Sequence, residues 1–442
     1  MPGSHRDLPT ELLQTIFDIL VSTPDSLPTL KAFSCASSRL CSISQPYLLR
    51  NVVLHQSHPG TSNAPGPTDC HDHLPHNPAN HFLQALLLSP YIASYIQGLT
   101  LPMNTSQWLD DDTSLSQLLP LLVNLQRLSI TGGNVWISRK PTHVAKLWTT
   151  FSAEAREALG MALKVHCLSE VDLTGIELFP LSLLGYCHML QRLSVANFEV
   201  AEERSDGMVL RYGNTKRQLE YLHIEEAGMP NEYLIFGSPS WPFDLSSLHT
   251  LSISPRKVAN LCHLPRNLTS LQHLQIHTSQ LGTDTVYDQR GYLLRHHRLI
   301  GLSLTESPFQ HFYALQSLTI DANFRIASFD SNNPLLIDCF SSPLSWITEF
   351  LNLSFKPNSE QSVSPRKLIL KLVFSPHFPN EFFPYFDGGW RRLARCLDSE
   401  AFEGLEVELR VGGLSGKGVK VLRGNVGFQE LVGTEGVVIL SE

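Results

Sequence analysis

The sequence predicts a chain of mixed helix and strand (α+β or α/β): a small N-terminal helical module, then an irregular solenoid of short strands joined by helices and loops. Three observations carry that reading. Residues 8–20 hold apolar side chains at helical spacing. From about residue 96 the pattern apolar-x-x-Leu-x-apolar keeps returning. The composition is leucine-heavy, 42% hydrophobic and only 17% charged, against roughly 25% charged residues in an ordinary soluble domain.

The helical module comes first. In Leu8-Pro9-Thr10-Glu11-Leu12-Leu13-Gln14-Thr15-Ile16-Phe17-Asp18-Ile19-Leu20 the apolar positions 12, 13, 16, 17 and 20 share one helical stripe. Pro9 suits a first turn, where its missing N–H costs nothing. Ser22-Thr23-Pro24-Asp25 breaks the helix. A second periodic stretch carries Leu27, Leu30 and Phe33, and a third surrounds Leu40 and Ile43. Pro46 through Asn51 then leads into the apolar run Val52-Val53-Leu54. Helices this short cannot bury a self-sufficient core, and no metal or disulfide pattern supports them, so a partner surface is expected.

Residues 7 to 54 resemble an F-box of the fungal, basidiomycete type. The likeness rests on Leu8-Pro9-x-Glu11-Leu12-Leu13-x-x-Ile16-Phe17-x-x-Leu20, then Leu30, then Phe33-Ser34-x-x-Ser37-x-x-Leu40, then Pro46-x-Leu48. It implies that Leu8, Pro9, Leu12, Leu13, Ile16, Phe17, Leu20, Leu30 and Phe33 dock a Skp-type adaptor, and through it a cullin–RING ligase. The expected F-box domain is 1–54.

Residues 55–81 read as a flexible His/Pro-rich linker, with His55, His58, His71, His73, His76 and His81 among repeated Pro and Gly. Cys70-His71-Asp72-His73 offers ligand types that zinc accepts, but a structural zinc site needs a second paired cluster, and none follows. No metal and no cofactor is expected.

The repeat starts next. It occurs as Ile96-Leu99-Leu101, Leu125-Leu128-Ile130, Leu168-Val171-Leu173, Leu190-Leu193-Val195 and Leu219-Leu222-Ile224. It continues as Leu248-Leu251-Ile253, Leu271-Leu274-Ile276, Leu299-Leu302-Leu304 and Leu315-Leu318-Ile320. The middle positions are 29, 43, 22, 29, 29, 23, 28 and 16 residues apart, close for the most part to the roughly 20–29 of leucine-rich repeats. Trp148 to Leu159 reads as a longer helix inside the 43-residue interval. No single unit buries its leucines alone, so neighbours must stack. The segment resembles degenerate leucine-rich repeats that lack the usual asparagine: Gly133, Ile176 and Phe198 stand where it would fall. The expected solenoid spans 82–325, with C-terminal repeats and a cap over 326–442.

Strand alternation predicts an outward, concave polar face. It carries Arg127, Ser129 and Thr131; Glu170, Asp172 and Thr174; Arg192 and Ser194; and Tyr221, His223 and Glu225. Further along come Thr250, Ser252 and Ser254; His273, Gln275 and His277; Ser303 and Thr305; and Ser317, Thr319 and Asp321. Arg127, Asp172, Arg192, Tyr221, His223, His273 and Gln275 are the candidate substrate contacts.

In the last third, Arg366 to Phe374 alternates as a strand, Gly389 to Leu397 is an amphipathic helix with Trp390, Leu393 and Leu397 inward, and Leu405 to Val411 is another strand. The chain closes on Val437-Val438-Ile439-Leu440. This ending resembles the terminus of many mushroom-type F-box proteins and is expected to cap the solenoid. Gly412-Gly413-Leu414-Ser415-Gly416-Lys417-Gly418 fails as a phosphate-binding loop, because Val411 and Gly418 stand where Gly and Ser or Thr are required. Lys417 likewise breaks a nucleophile elbow. A glycine-rich hairpin or loop is expected there.

Function follows from what is present and what is missing. Lys plus Arg is 33 against 41 Asp plus Glu, a formal charge of −8, the wrong sign for a chain whose affinity would come from neutralising phosphates. Eight scattered cysteines with no C-x-x-C pair read as reduced thiols, and no basic region precedes an apolar core at the N-terminus, so a cytoplasmic or nuclear protein is expected. Phe82 to Ile96, the most apolar stretch, is too interrupted to span a bilayer. No constellation of nucleophile, base and orienting group is visible, so no enzyme is expected. The resemblance implies a substrate-receptor subunit of a Skp–cullin–F-box ubiquitin ligase with an unknown protein substrate. The alternative is a leucine-rich-repeat interaction scaffold with no link to ubiquitination.

Overall fold

Pro9 ends an extended approach and starts α1 (Thr10–Ser22), accepting the Leu13 amide on its carbonyl at 3.2 Å in the first turn. In the computed structural model the described residues are 8–23, 26–54, 77–102, 113–131, 134–137, 140–143, 146–164, 167–196, 217–225, 241–253, 268–277, 312–324, 342–355, 365–374, 383–384, 386–434 and 436–441. Contacts gather the chain into two units, Met1–Arg217 and Gln218–Glu442. The linker histidines 55–76, Ser254, Ser303, Thr305, and the positions Gly133 and Phe198 lie outside the described residues.

The first unit opens with three short helices. α2 (Leu27–Ala36) carries Pro28 in its first turn, and Ser37 caps α3 (Ser38–Leu48) by accepting the Leu40 amide at 3.1 Å. Phe17 is the buried centre of this module, edge-on to Phe33 at 5.4 Å and stacked on Tyr47 at 5.8 Å.

Five parallel strands then follow in order: β1 (Asn51–Val53), β2 (Gly98–Pro102), β3 (Arg127–Thr131), β4 (Glu170–Thr174) and β5 (Arg192–Ala196). Register aligns Leu99, Leu128, Val171 and Leu193 in one column and Leu101, Ile130, Leu173 and Val195 in the next. These columns are buried, so each rung adds two apolar side chains to a shared interior, worth roughly 1.5–3 kcal/mol apiece. The turns entering β3 and β5 are built the same way. The Leu119 carbonyl takes the Leu122 amide and the Leu122 carbonyl takes that of Leu125; Leu184, Cys187 and Leu190 repeat it. At the head of each strand one carbonyl then accepts two successive amides of the next, as Gln97 does from Gln126 and Arg127, and Ser169 from Gln191 and Arg192. A Cβ at Gly98 would meet the end of the Asn51 side chain, which would have to swing aside.

Between rungs lie α4 (Pro78–Leu88), capped by Asn77, then α5 (Ser114–Leu118) and α6 (Ala153–Ala162), capped by Ser152. α6 falls in the 43-residue interval where a helix was expected. The same interval also holds an antiparallel hairpin, Asn134–Ile137 with Lys140–His143, that the repeat pattern does not announce.

The second unit repeats the construction with β6 (Tyr221–Glu225), β7 (Thr250–Ile253), β8 (His273–His277), β9 (Ser317–Phe324), β10 (Lys367–Phe374), β11 (Glu406–Gly412) and β12 (Val437–Ser441), all parallel and in sequence order. Its columns run Leu222, Leu251, Leu274, Leu318, Leu368, Val407, Val437 and Ile224, Ile253, Ile276, Ile320, Leu370, Leu409, Ile439. The late strands thus continue the apolar ladder of the repeats. α7 (Ser342–Ser354), α8 (Asp387–Leu397), α9 (Gly416–Arg423) and α10 (Val426–Val432) complete this unit. Trp390, Leu393 and Leu397 of α8 are buried, with Trp390 edge-on to Phe428 at 5.4 Å.

Two expectations need correction. A rung at Leu299–Leu304 would stand between its sequence neighbours, but His273–His277 pairs directly with Ser317–Asp321, leaving no ladder position between them. Residues 278–311 themselves lie outside the described set. Of the hairpin or loop expected after β11, a loop over 413–415 is found, and it runs into a helix where a second strand was expected. Gly413, at φ 79°, turns the chain where any Cβ would strike the Phe374 carbonyl, and Ser415 then caps α9 by accepting the Gly418 amide at 3.2 Å. Among the described residues no helix is long and apolar enough to cross a membrane.

Candidate functional site

Two surfaces carry chemistry beyond packing. The first is α1 with the start of α2. Leu8, Leu12, Ile16 and Ile19 follow one another at helical spacing and are 40% to 60% exposed; Leu27 is 51% exposed. These large apolar side chains are left in water on one side of the module. Pro9 is exposed as well, while Leu13, Leu20 and Phe33 are half-buried. Phe17 and Leu30 are buried at 1% and 3% exposure and form the module's core. Ile19 and Leu27 stand out only in the structure. Ile19 lies outside the predicted stripe of positions 12, 13, 16, 17 and 20 and is 60% exposed.

Side-chain bonds hold the module together. Arg39 donates from Nη2 to the Leu8 carbonyl at 2.7 Å and to Thr10 Oγ1 at 3.1 Å, pinning the chain's entry into α1 against α3. Tyr47 donates its hydroxyl to Asp18 Oδ1 at 2.8 Å. Burial, reinforced by that bond and by the charge of Asp18, raises Tyr47 above the ordinary phenol range.

The second surface is the polar face of the strands. In the first unit Arg127 pairs with Glu170 at 2.8 Å. Asp172 accepts from Ser129 Oγ and from Thr174 Oγ1, each at 3.1 Å. Arg192 is exposed at the head of β5, in register with Glu170. The predicted residues Arg127, Asp172 and Arg192 therefore stand on adjacent strands of one face.

In the second unit Tyr221 and Gln275 are half-buried on the same face, and His273 Nδ1 lies 2.7 Å from Ser317 Oγ. His223 bonds Ser252 Oγ through Nδ1 at 2.7 Å. Of the residues that alternation places on this face without singling out, Glu225, Ser252 and His277 contact His223, and Asp321 lies beside His277. Only the register of four strands brings them together. Farther along, Glu408 is buried at 5% exposure, bonded by Lys367 Nζ at 2.7 Å and by Arg410 Nε. Those two hydrogen bonds hold the Glu408 carboxyl below its usual range, and the same contact with Glu408, then Glu406, holds Lys367 above its own.

Among the described residues, no group of three or more His, Cys, Asp and Glu is spaced to hold a metal ion. No protein-family model matches the chain, and no curated protein sequence matches it. Among solved structures, an internalin from Listeria monocytogenes matches at 13% identity, over 80% of this chain and 82% of that one, with a TM-score of 0.25.

Proposed function

We propose that this chain is a non-catalytic substrate receptor of a Skp–cullin–F-box ubiquitin ligase, acting in the cytoplasm or nucleus. Its N-terminal helices dock a Skp-type adaptor, and its strand repeats capture a protein substrate. The observation that carries the reading is the exposed stripe Leu8, Leu12, Ile16 and Ile19 on a helical module whose small core holds Phe17 and Leu30. The F-box-like order of residues in this segment agrees with that use of the stripe. The chain forms no bonds itself. It raises the local concentration of substrate lysines beside a ubiquitin-loaded enzyme held by the same assembly.

The test is capture of a purified Skp-type adaptor by the full chain. Leu12→Ala with Ile16→Ala removes two exposed anchors, each worth on the order of 1 kcal/mol or more at an interface, so the adaptor should bind at least about tenfold more weakly. No binding by the wild-type chain refutes the reading.

A second reading is a repeat scaffold with no ubiquitin link. The paired and hydrogen-bonded polar face of the strands favours it, since Arg127, Glu170 and Asp172 already form an ordered surface. Adaptor capture separates the two, because only the first requires it.

A further inference from the structure

One column of the polar face changes character partway along the second unit. Register carries it through Ser252, Gln275 and Thr319, and then through Ile369, Glu408 and Val438. The first three bring hydrogen-bonding side chains, whereas Ile369 and Val438 bring branched apolar ones. Alternation along β10 puts Val373 on the same side as Ile369 and Lys371. Ile369 and Val373 are half-buried, and Val438 is 53% exposed.

The neighbouring column sets two cations side by side. Lys371 stands in register with Arg410, and like charges facing each other across a strand pair repel. The other lysine of β10 is answered: Lys367 Nζ lies 2.9 Å from Glu406 Oε1 and 2.7 Å from Glu408 Oε2. Lys371 has no ion pair among the described residues. Asp321, in register on its other side, lies 3.4 Å from His277 Nδ1, and no ion pair joins it to Lys371. On this face β10 and β11 hold three cations, Lys367, Lys371 and Arg410, against two carboxylates, Glu406 and Glu408. Three less two leaves +1, in a chain whose formal charge is −8.

We propose that Ile369, Lys371, Val373, Arg410 and Val438 take an extended acidic segment of a protein substrate, with one carboxylate between the two cations and aliphatic side chains beside it. This rests on the reading of the strand repeats as the substrate-capturing surface and names the chemistry that they select. A carboxylate accepts charge-assisted hydrogen bonds from guanidinium and ammonium, and it offsets the repulsion between them. A single negative charge matches the local +1; the roughly doubled charge of a phosphate exceeds it. A nucleic acid is a poor match, because its binding needs many phosphates neutralised together.

The spacing sets the form of the segment. Ile369, Lys371 and Val373 recur every second residue along β10, about 6.6 Å apart, which is also the spacing of alternate side chains in an extended peptide. The matching order is therefore aliphatic-x-acid-x-aliphatic. Part of the site is held ready before anything binds. Glu408, buried at 5% exposure, takes both Lys367 Nζ and Arg410 Nε, so the guanidinium is already oriented and less side-chain freedom is lost on docking.

The test is selection of short random peptides displayed on phage, against the full chain and its Lys371→Glu and Ile369→Ser variants. The wild type should enrich peptides with Asp or Glu two residues from an aliphatic side chain on each side. Lys371→Glu should enrich Lys or Arg at the central place, and Ile369→Ser should keep the acid but lose one aliphatic preference. Replacing the acid of the best synthetic peptide by its amide should weaken wild-type binding at least about tenfold in fluorescence anisotropy. Far-UV circular dichroism checks the fold. Where charge reversal prevents folding, Lys371→Gln removes the charge alone, and the preference for acid over amide should then vanish. No acidic enrichment by the wild type, or an acid preference that survives Lys371→Gln, overturns the proposal. Self-association of the wild type that Lys371→Gln abolishes also overturns it, by giving this face to a second copy. Adaptor capture by the same variants is expected to stay at the wild-type level, so failure of this proposal and failure of the adaptor reading are read separately.

Discussion

Glu408 illustrates how much a single residue depends on its neighbours across the sheet. Alternation along β11 puts Glu406, Glu408 and Arg410 on one side, but only pairing with β10 sets Lys367 opposite them. Because Glu408 binds its proton less readily in the folded chain than unfolded, it contributes stability above the unfolded carboxylate range, and that contribution is lost as pH falls through the lowered folded value. Glu408→Gln should therefore lower the urea midpoint at pH 7, and that deficit should shrink as pH falls below the unfolded carboxylate range. A deficit independent of pH would contradict this account. Cysteine reactivity is decided at the same scale. Burial pushes the thiols of Cys187 and Cys396 up to about 12, whereas Cys35 is exposed. A thiol-specific reagent at about pH 8, read by peptide mass spectrometry, should label Cys35 in the native chain and reach Cys187 and Cys396 only on unfolding.

At the scale of elements, the ladder explains which changes are tolerated. Leu274 is 1% exposed, between Leu251 and Leu318 in the central column of the second unit. Leu274→Ala should cost about 2–5 kcal/mol by denaturant unfolding, through lost transfer energy and the cavity left between rungs. On α1 the contrast is sharper. Leu12→Ala with Ile16→Ala touches exposed side chains, so each change should alter stability by no more than about 0.5 kcal/mol. Phe17→Ala, one residue away, should cost about 3–5 kcal/mol, because it empties the contact with Phe33 and Tyr47. Thermal unfolding of the variants distinguishes a docking role from a structural one for neighbouring residues. Periodicity alone revealed α1, α2, α3, α6, α8 and eight of the nine predicted rungs, because apolar spacing of two or three to four residues maps directly onto strand and helix. The glycine-rich segment escaped it: Ser415 becomes a helix cap only once Gly413 has turned the chain against Phe374.

At the scale of the whole molecule, the chain divides into two units, each a stack of rungs that bury one another's leucines. In such stacks stability is mostly a sum of nearest-neighbour terms. Hydrogen exchange in the Leu274→Ala variant should therefore accelerate most in 250–253, 273–277 and 317–324 and fade with each further rung of that unit. Uniform acceleration through 221–225 and 437–441 would show instead that the unit opens as one cooperative body. What the residues determined by themselves was the repeat: low charge, abundant leucine and a fixed short motif suffice to specify strands that must stack, since no strand can bury its own apolar pair. They also specified the module at the N-terminus and the polar alternation of the exposed face. What only the tertiary structure decided was adjacency. It pairs 273–277 with 317–321 across the predicted Leu299–Leu304 rung, leaves Ile19 and Leu27 in water, and brings His223, Ser252 and His277 onto one hydroxyl. The physical reason is that alternation assigns a side chain to a face from local geometry, whereas contact across strands depends on register, which is set by turns and insertions whose lengths vary from rung to rung.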